Sequence, residues 1–140
     1  MSIVIIGAIP KEIEALRDRI GRNPLYKGRV FVEESEVGKV SVASTTASAI
    51  DKYNPKAIIF TGVCGAVDSS LSIGDVGVGV AAVDADVDAR RWDSSYKLGQ
   101  LPFTQTRIYY SDKNLCSRCF GFNGLSCFPA YIATKDMFMD

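Results

Sequence analysis

The chain has 140 residues and no histidine. That absence excludes Ser-His-Asp and Cys-His catalytic arrangements and the zinc motifs that need His ligands. Acid–base chemistry falls instead to carboxylates, Lys, Tyr, Cys or water. A surplus of charge is missing too, since 16 Lys and Arg balance 16 Asp and Glu. Neither nucleic acid nor an anionic membrane is therefore expected as a partner. The longest apolar run is too short to span a bilayer. Met1-Ser2-Ile3-Val4-Ile5-Ile6 has no basic flank and no small-residue cleavage site, so a signal peptide is not expected and a cytoplasmic location is.

Cysteine is scarce. Cys116 and Cys119 form one C-x-x-C, with Cys127 nearby and Cys64 far upstream. A zinc site would need a second knuckle, so no metal is expected and the thiols are read as reduced. What the chain does have is apolar material: 47% of residues are hydrophobic, enough for a folded domain. Residues 1–140 are read as a single α/β domain.

The pattern alternates strand and helix. Ile3–Ile6 is a short apolar run that reads as a buried first strand. Pro10 suits the first turn of a following helix, with Ile13, Leu16 and Ile20 on one face and Gly21 placed to end it. Glu12 lies in the first turn, where acidic residues commonly complement the helix dipole. A second reading aims its carboxylate into the crevice over the sheet. Val30–Glu34 reads as a strand, and a helix is expected from Ser35-Glu36-Val37-Gly38-Lys39-Val40, with Val40, Ala43, Ala47 and Ile50 on one apolar face. Asn54-Pro55 stops it. The Gly38-Lys39 pair is not a phosphate loop, because Glu33 stands where the motif needs Gly and Val40 fills its Ser/Thr slot.

Ala57–Phe60 reads as a strand covered on both faces, running into a tight turn in which Gly62 and Gly65 permit unusual backbone conformations and close approach of a ligand. Valine-rich Val76–Val83 is a further strand. Residues 84–106 form a long polar and aromatic segment, of the kind that is usually functional or an interface element. Asp84, Asp86 and Asp88 alternate there, but the Gly and distal Glu of a calcium loop are missing. Asp112 is placed to cap a helix, and Tyr131–Thr134 reads as a last strand. Residues 116–129 show no clean period. The expected architecture is a three-layer α/β/α sandwich around a mixed, largely parallel sheet.

Seven stretches, taken in order and spacing, resemble one family. They are Ile5–Ile13, Ser35–Val40, Thr61–Ala66, Ile73–Val76, Asp84–Asp88, Leu98–Pro102 and Ile132–Phe138. Together they are similar to the purine nucleoside phosphorylase and nucleosidase superfamily, closest to its 5′-methylthioadenosine/S-adenosylhomocysteine nucleosidases. The resemblance implies hydrolysis of the bond between adenine and a 5′-thio-substituted ribose, through an oxocarbenium-like transition state. It implies no cofactor, a small nucleoside as substrate and a homodimer, with the Asp84–Tyr96 region reaching the neighbouring subunit.

By the same resemblance Glu12 is the catalytic carboxylate that holds the attacking water. Ala8, Ile9, Val37, Val63, Cys64 and Gly65 line the substrate pocket, Phe138 stacks on adenine, and Met139 meets the purine edge. Val63 stands where these nucleosidases usually carry Ser, and Ala66 where Gly is common. Phe60 stands where related phosphorylases carry a phosphate-gripping Arg, which favours water as acceptor. The ribose-binding Glu and purine-protonating Asp of the family follow the Phe138 segment, beyond Asp140, so the chain is expected to be an N-terminal portion. The alternatives are a phosphate-dependent phosphorylase and a non-catalytic nucleoside-binding module.

Overall fold

Strand β1 (Ile3–Gly7) carries the core of the N-terminal half, with Val4 and Ile6 fully buried on one face. The computed structural model describes residues 2–121 and 126–136, in two units that span 1–65 and 66–140. In the first unit β1 lies between β2 (Val30–Glu34) and β3 (Ala57–Phe60), and both pairings are parallel. Parallel neighbours need crossovers, and helices α1 (Pro10–Arg22) and α2 (Lys39–Tyr53) supply them.

Helix α1 buries the expected face, Ile13 completely and Leu16 and Ile20 partly, and continues through Gly21 to a cap at Asn23. Helix α2 differs from expectation at its start and in its orientation. It begins at Lys39, because Glu36 and Gly38 adopt left-handed φ of 62° and 112° and hold the preceding turn outside the helix. Ala49, with Val42 and Tyr53, packs on Val4 and Ile6, whereas Val40 is 83% exposed and Ile50 48%. Val, Ala, Ser and Thr surround this helix, so two small apolar stripes compete and the periodicity does not choose between them. Asn54 ends it at φ 41°, as its position before Pro55 suggested.

Strand β3 is also less enclosed than its composition implies. It is an edge strand of this sheet, and Ile59 and Phe60 are 40% and 58% exposed. The central place belongs to β1.

Glu33 ties β2 to α2. Its Oε1 accepts the Tyr53 hydroxyl and lies 3.3 Å from Lys52 Nζ, while the Phe31 and Tyr53 rings stack at 4.0 Å. The Tyr53 hydrogen bond, more than Lys52, holds the Glu33 carboxyl below its ordinary 4.5, against the opposing effect of partial burial.

The second unit has a mixed sheet in the order β5-β4-β6. Strand β4 (Val76–Asp84) pairs antiparallel with β5 (Ile108–Tyr110) and parallel with β6 (Cys127–Thr134). The glycine spacing of β4 is steric: a Cβ at Gly77 would stand 3.0 Å from that of Ala130, and one at Gly79 would stand 3.2 Å from Ile132. Pro129 is accommodated because β6 is an edge strand. Helix α3 (Lys113–Phe120) is capped by Asp112, whose Oδ1 accepts from the Asn114 and Leu115 amides.

Within the unassigned stretch 116–129, the described residues include the end of α3 and the start of β6. All four cysteines are free thiols. In the long segment, Trp92 stacks on Tyr96 at 6.0 Å and meets Phe103 edge-on at 5.3 Å. Asp88 is taken by Arg90 through two hydrogen bonds of 2.8 and 2.7 Å, which lower its carboxyl to about 2. The α/β class and the largely parallel pairing follow expectation. Among the described residues no helix is long and apolar enough to cross a membrane.

Two measurements check this packing. Ile6→Ala should cost about 2–5 kcal/mol by opening the core. Val40→Ser should stay within about 0.5 kcal/mol, both read from urea unfolding; equal losses would contradict the orientation of α2. Tyr53→Phe should move the Glu33 titration midpoint, followed by side-chain NMR, back toward 4.5. The sign follows from a lowered folded value: the stabilisation is present above the unfolded midpoint and is lost as pH falls through the folded one. A midpoint that stays put would remove Tyr53 as the cause.

Candidate active site

The site is built where β1 turns into α1. Ile9 is the extended N-cap, Pro10 the first helical residue and Glu12 the third, N3. A Glu at N3 can reach back over the helix start, and Glu12 Oε2 accepts the Ile9 amide at 3.2 Å. Ile9 has no side-chain acceptor to return the bond, so a helix cap is not the whole explanation. Oε2 also accepts the Ala8 amide at 2.9 Å, and Oε1 accepts the Val63 amide at 3.0 Å from 51 residues away. One carboxylate thus joins the ends of β1 and β3 at the positive end of a helix dipole.

Two glycines make the approach possible. A Cβ at Gly7 would lie 2.3 Å from Ile13 Cγ2, so only glycine lets α1 settle this close to the end of β1. A Cβ at Gly62 would meet Glu12 Oε1 at 3.0 Å and its Cδ at 3.3 Å. Gly62 and Gly65 were expected to serve a tight turn by unusual backbone conformation. Neither has a positive φ, and Gly62 matters because it leaves room for the carboxylate. That role was not visible in the sequence, because it depends on two residues 50 positions apart.

A carboxylate offers about four acceptor positions. Among the described residues, amide donors take two on Oε2 and one on Oε1. The remaining position is on Oε1, on the Val63 side, and suits a water or hydroxyl donor. Of the residues expected at the site, the structure brings together Glu12, Ala8, Ile9 and Val63, the last three through their backbones. The Val63 side chain is 84% exposed and Val37 59%; Cys64 and Gly65 are exposed as well. Phe138 and Met139 lie outside the described residues.

The comparisons with known proteins give the family. Residues 2–134 match the Phosphorylase superfamily, and the chain belongs to that family. A 5′-methylthioadenosine/S-adenosylhomocysteine nucleosidase of Staphylococcus haemolyticus is 40% identical over 71% of this chain and 49% of its own length. The chain therefore spans about half the length of that relative. Among solved structures, a nucleosidase of the same name from Neisseria meningitidis, in complex with methylthio-immucillin-A, superposes with a TM-score of 0.83. It is 29% identical, over 98% of this chain and 65% of that one. The futalosine hydrolase of Helicobacter pylori reaches a TM-score of 0.87 at 26% identity, over 99% of this chain and 65% of its own. The fold is that of these hydrolases.

Gly62→Ala tests the crowding. It should push the carboxylate off the Val63 amide, weaken that bond by about 1 kcal/mol and shift the Val63 amide proton resonance while leaving the fold intact. An unmoved resonance would mean that Glu12 has room to spare.

Proposed function

We propose that this chain carries the water-activating part of an N-ribosyl hydrolase acting on adenine nucleosides of the 5′-methylthioadenosine or S-adenosylhomocysteine type. The observation that carries the reading is the Glu12 carboxylate, immobilised by three backbone amides with one acceptor position left on Oε1. A water donating to that position is held as a nucleophile, and Glu12 takes its proton as the water attacks the anomeric carbon. The glycosidic bond breaks through an oxocarbenium-like transition state, its electron pair leaving on the adenine, which takes a proton from the general acid that the resemblance implies. The water oxygen bonds the anomeric carbon to give a 5′-thio-ribose. Fixing Glu12 in advance contributes by orientation, since little reorganisation is left for the moment of reaction.

The pocket around this carboxylate is assigned to Ala8, Ile9, Val37, Val63, Cys64 and Gly65. The proposal takes residues 1–140 as one nucleosidase-like domain, supported by a family match that runs unbroken from residue 2 to 134. It further takes the protein as a cytoplasmic homodimer in nucleoside metabolism and methionine salvage. The names of the relatives support the substrate class.

The test is adenine release from 5′-methylthioadenosine in phosphate-free buffer by the natural protein. Release is expected, and Glu12→Gln should lower its rate by about 10²–10⁴-fold while leaving nucleoside affinity nearly unchanged. A strict phosphate requirement would convert the reading to a phosphorylase. Binding without release would leave a nucleoside-binding module, and undiminished turnover in Glu12→Gln would remove that residue from the chemistry.

A further inference from the structure

Among the described residues one polar side chain is buried: Ser35, 3% exposed, where the chain leaves β2. Its hydroxyl donates to the Glu36 carbonyl at 2.9 Å and lies 3.5 Å from Gly7 O, so its single proton belongs to the shorter contact. Glu36 is the residue held at φ 62°, a region that a side-chain-bearing residue disfavours, and the hydroxyl pins it there. The Ser35 amide then points at β1 and donates to Gly7 O at 3.0 Å.

That carbonyl belongs to the same peptide group as the Ala8 N–H. A peptide group is planar, so fixing its oxygen fixes the direction of its N–H. The Ala8 N–H is the donor that meets Glu12 Oε2 at 2.9 Å. A continuous relay results: Ser35 N–H to the Gly7 carbonyl, across the peptide plane to the Ala8 N–H, and on to the carboxylate. Hydrogen bonds in such a chain polarise one another, so the bond at the Gly7 end strengthens the bond at the Glu12 end.

We infer that Ser35 is a positioning residue for Glu12, acting through the Gly7–Ala8 peptide group, with its hydroxyl setting the turn that aims its amide. Ser35 touches no reacting atom. The inference rests on the reading of Glu12 as the water-holding carboxylate, but its test reads geometry rather than turnover. Failure of the nucleosidase assay and failure of the relay are therefore separate results.

The experiment is amide NMR and hydrogen exchange on the full chain, comparing Ser35→Ala and Ser35→Cys with the unsubstituted protein. Cysteine keeps nearly the volume of serine and gives up the strong donor, so it decides the question if the alanine variant does not fold. The Ala8 amide should exchange roughly two- to tenfold faster relative to the Val4 and Ala49 amides, the range expected for one weakened hydrogen bond. The Val63 amide proton should shift as well, because it meets Glu12 from the other side and has no bond to Ser35. Ala8 exchange that only tracks Val4 and Ala49, or a Val63 resonance that does not move, would reduce Ser35 to a packing residue and overturn the inference.

Discussion

The N-terminal unit depends on one carboxylate bound by the backbone at the ends of two strands. Glu12 accepts from Ala8 and Ile9 after β1 and from Val63 after β3, and each neighbouring feature is shaped by that requirement. Helix α1 must start immediately after β1 for N3 to fall over the strand ends. Gly7 must lack a side chain for the helix to lie close, and Gly62 must lack one for the carboxylate to fit. Ser35 then holds the Gly7 carbonyl from β2. Three parallel strands thus contribute to the placement of one side chain, and a parallel sheet is what delivers their carboxyl ends to the same edge.

Much of this fold is legible in the sequence, for identifiable reasons. Strand β1 and the start of helix α1 are bounded by punctuation that the backbone obeys, Gly7 and Pro10, whereas α1 runs through Gly21 to a cap at Asn23. Asp112 and Asn54 announce a helix start and a helix end through their own hydrogen bonding and left-handed tolerance. The face of α2 was misjudged because its residues are small and weakly apolar on every side, so which stripe is buried is decided by the shape of the sheet surface. The enclosure of β3 was overestimated because an apolar run reports affinity for a core, not the number of neighbours a strand obtains. Residues 116–129 resisted assignment in part because Pro129 interrupts the apolar run that opens β6.

The site was legible in a different way. Position alone left Glu12 ambiguous between a dipole-complementing residue and a functional one, and only the resemblance separated the two. The structure adds that Glu12 accepts three amides where a cap would need one. Gly62 and Ser35 both lie in stretches that carry the resemblance, but the parts they play around Glu12 were beyond reach, because each acts on a residue distant in sequence.

The same geometry bears on the choice between water and phosphate as acceptor. Backbone amides clustered at a helix start would ordinarily make an anion site. Here the three described amides at that place are already occupied by a carboxylate of the chain itself. An incoming phosphate would meet a negative charge where it needs donors, and Phe60, at the end of β3, offers none to offset it. A water molecule has the opposite requirement: it must donate a proton, and the acceptor position left on Oε1 is complementary to it. Filling an anion cradle with a fixed carboxylate turns a site suited to holding an anionic nucleophile into one suited to making a nucleophile from a neutral molecule. Under the proposed reading of Glu12, that conversion is what would favour hydrolysis over phosphorolysis.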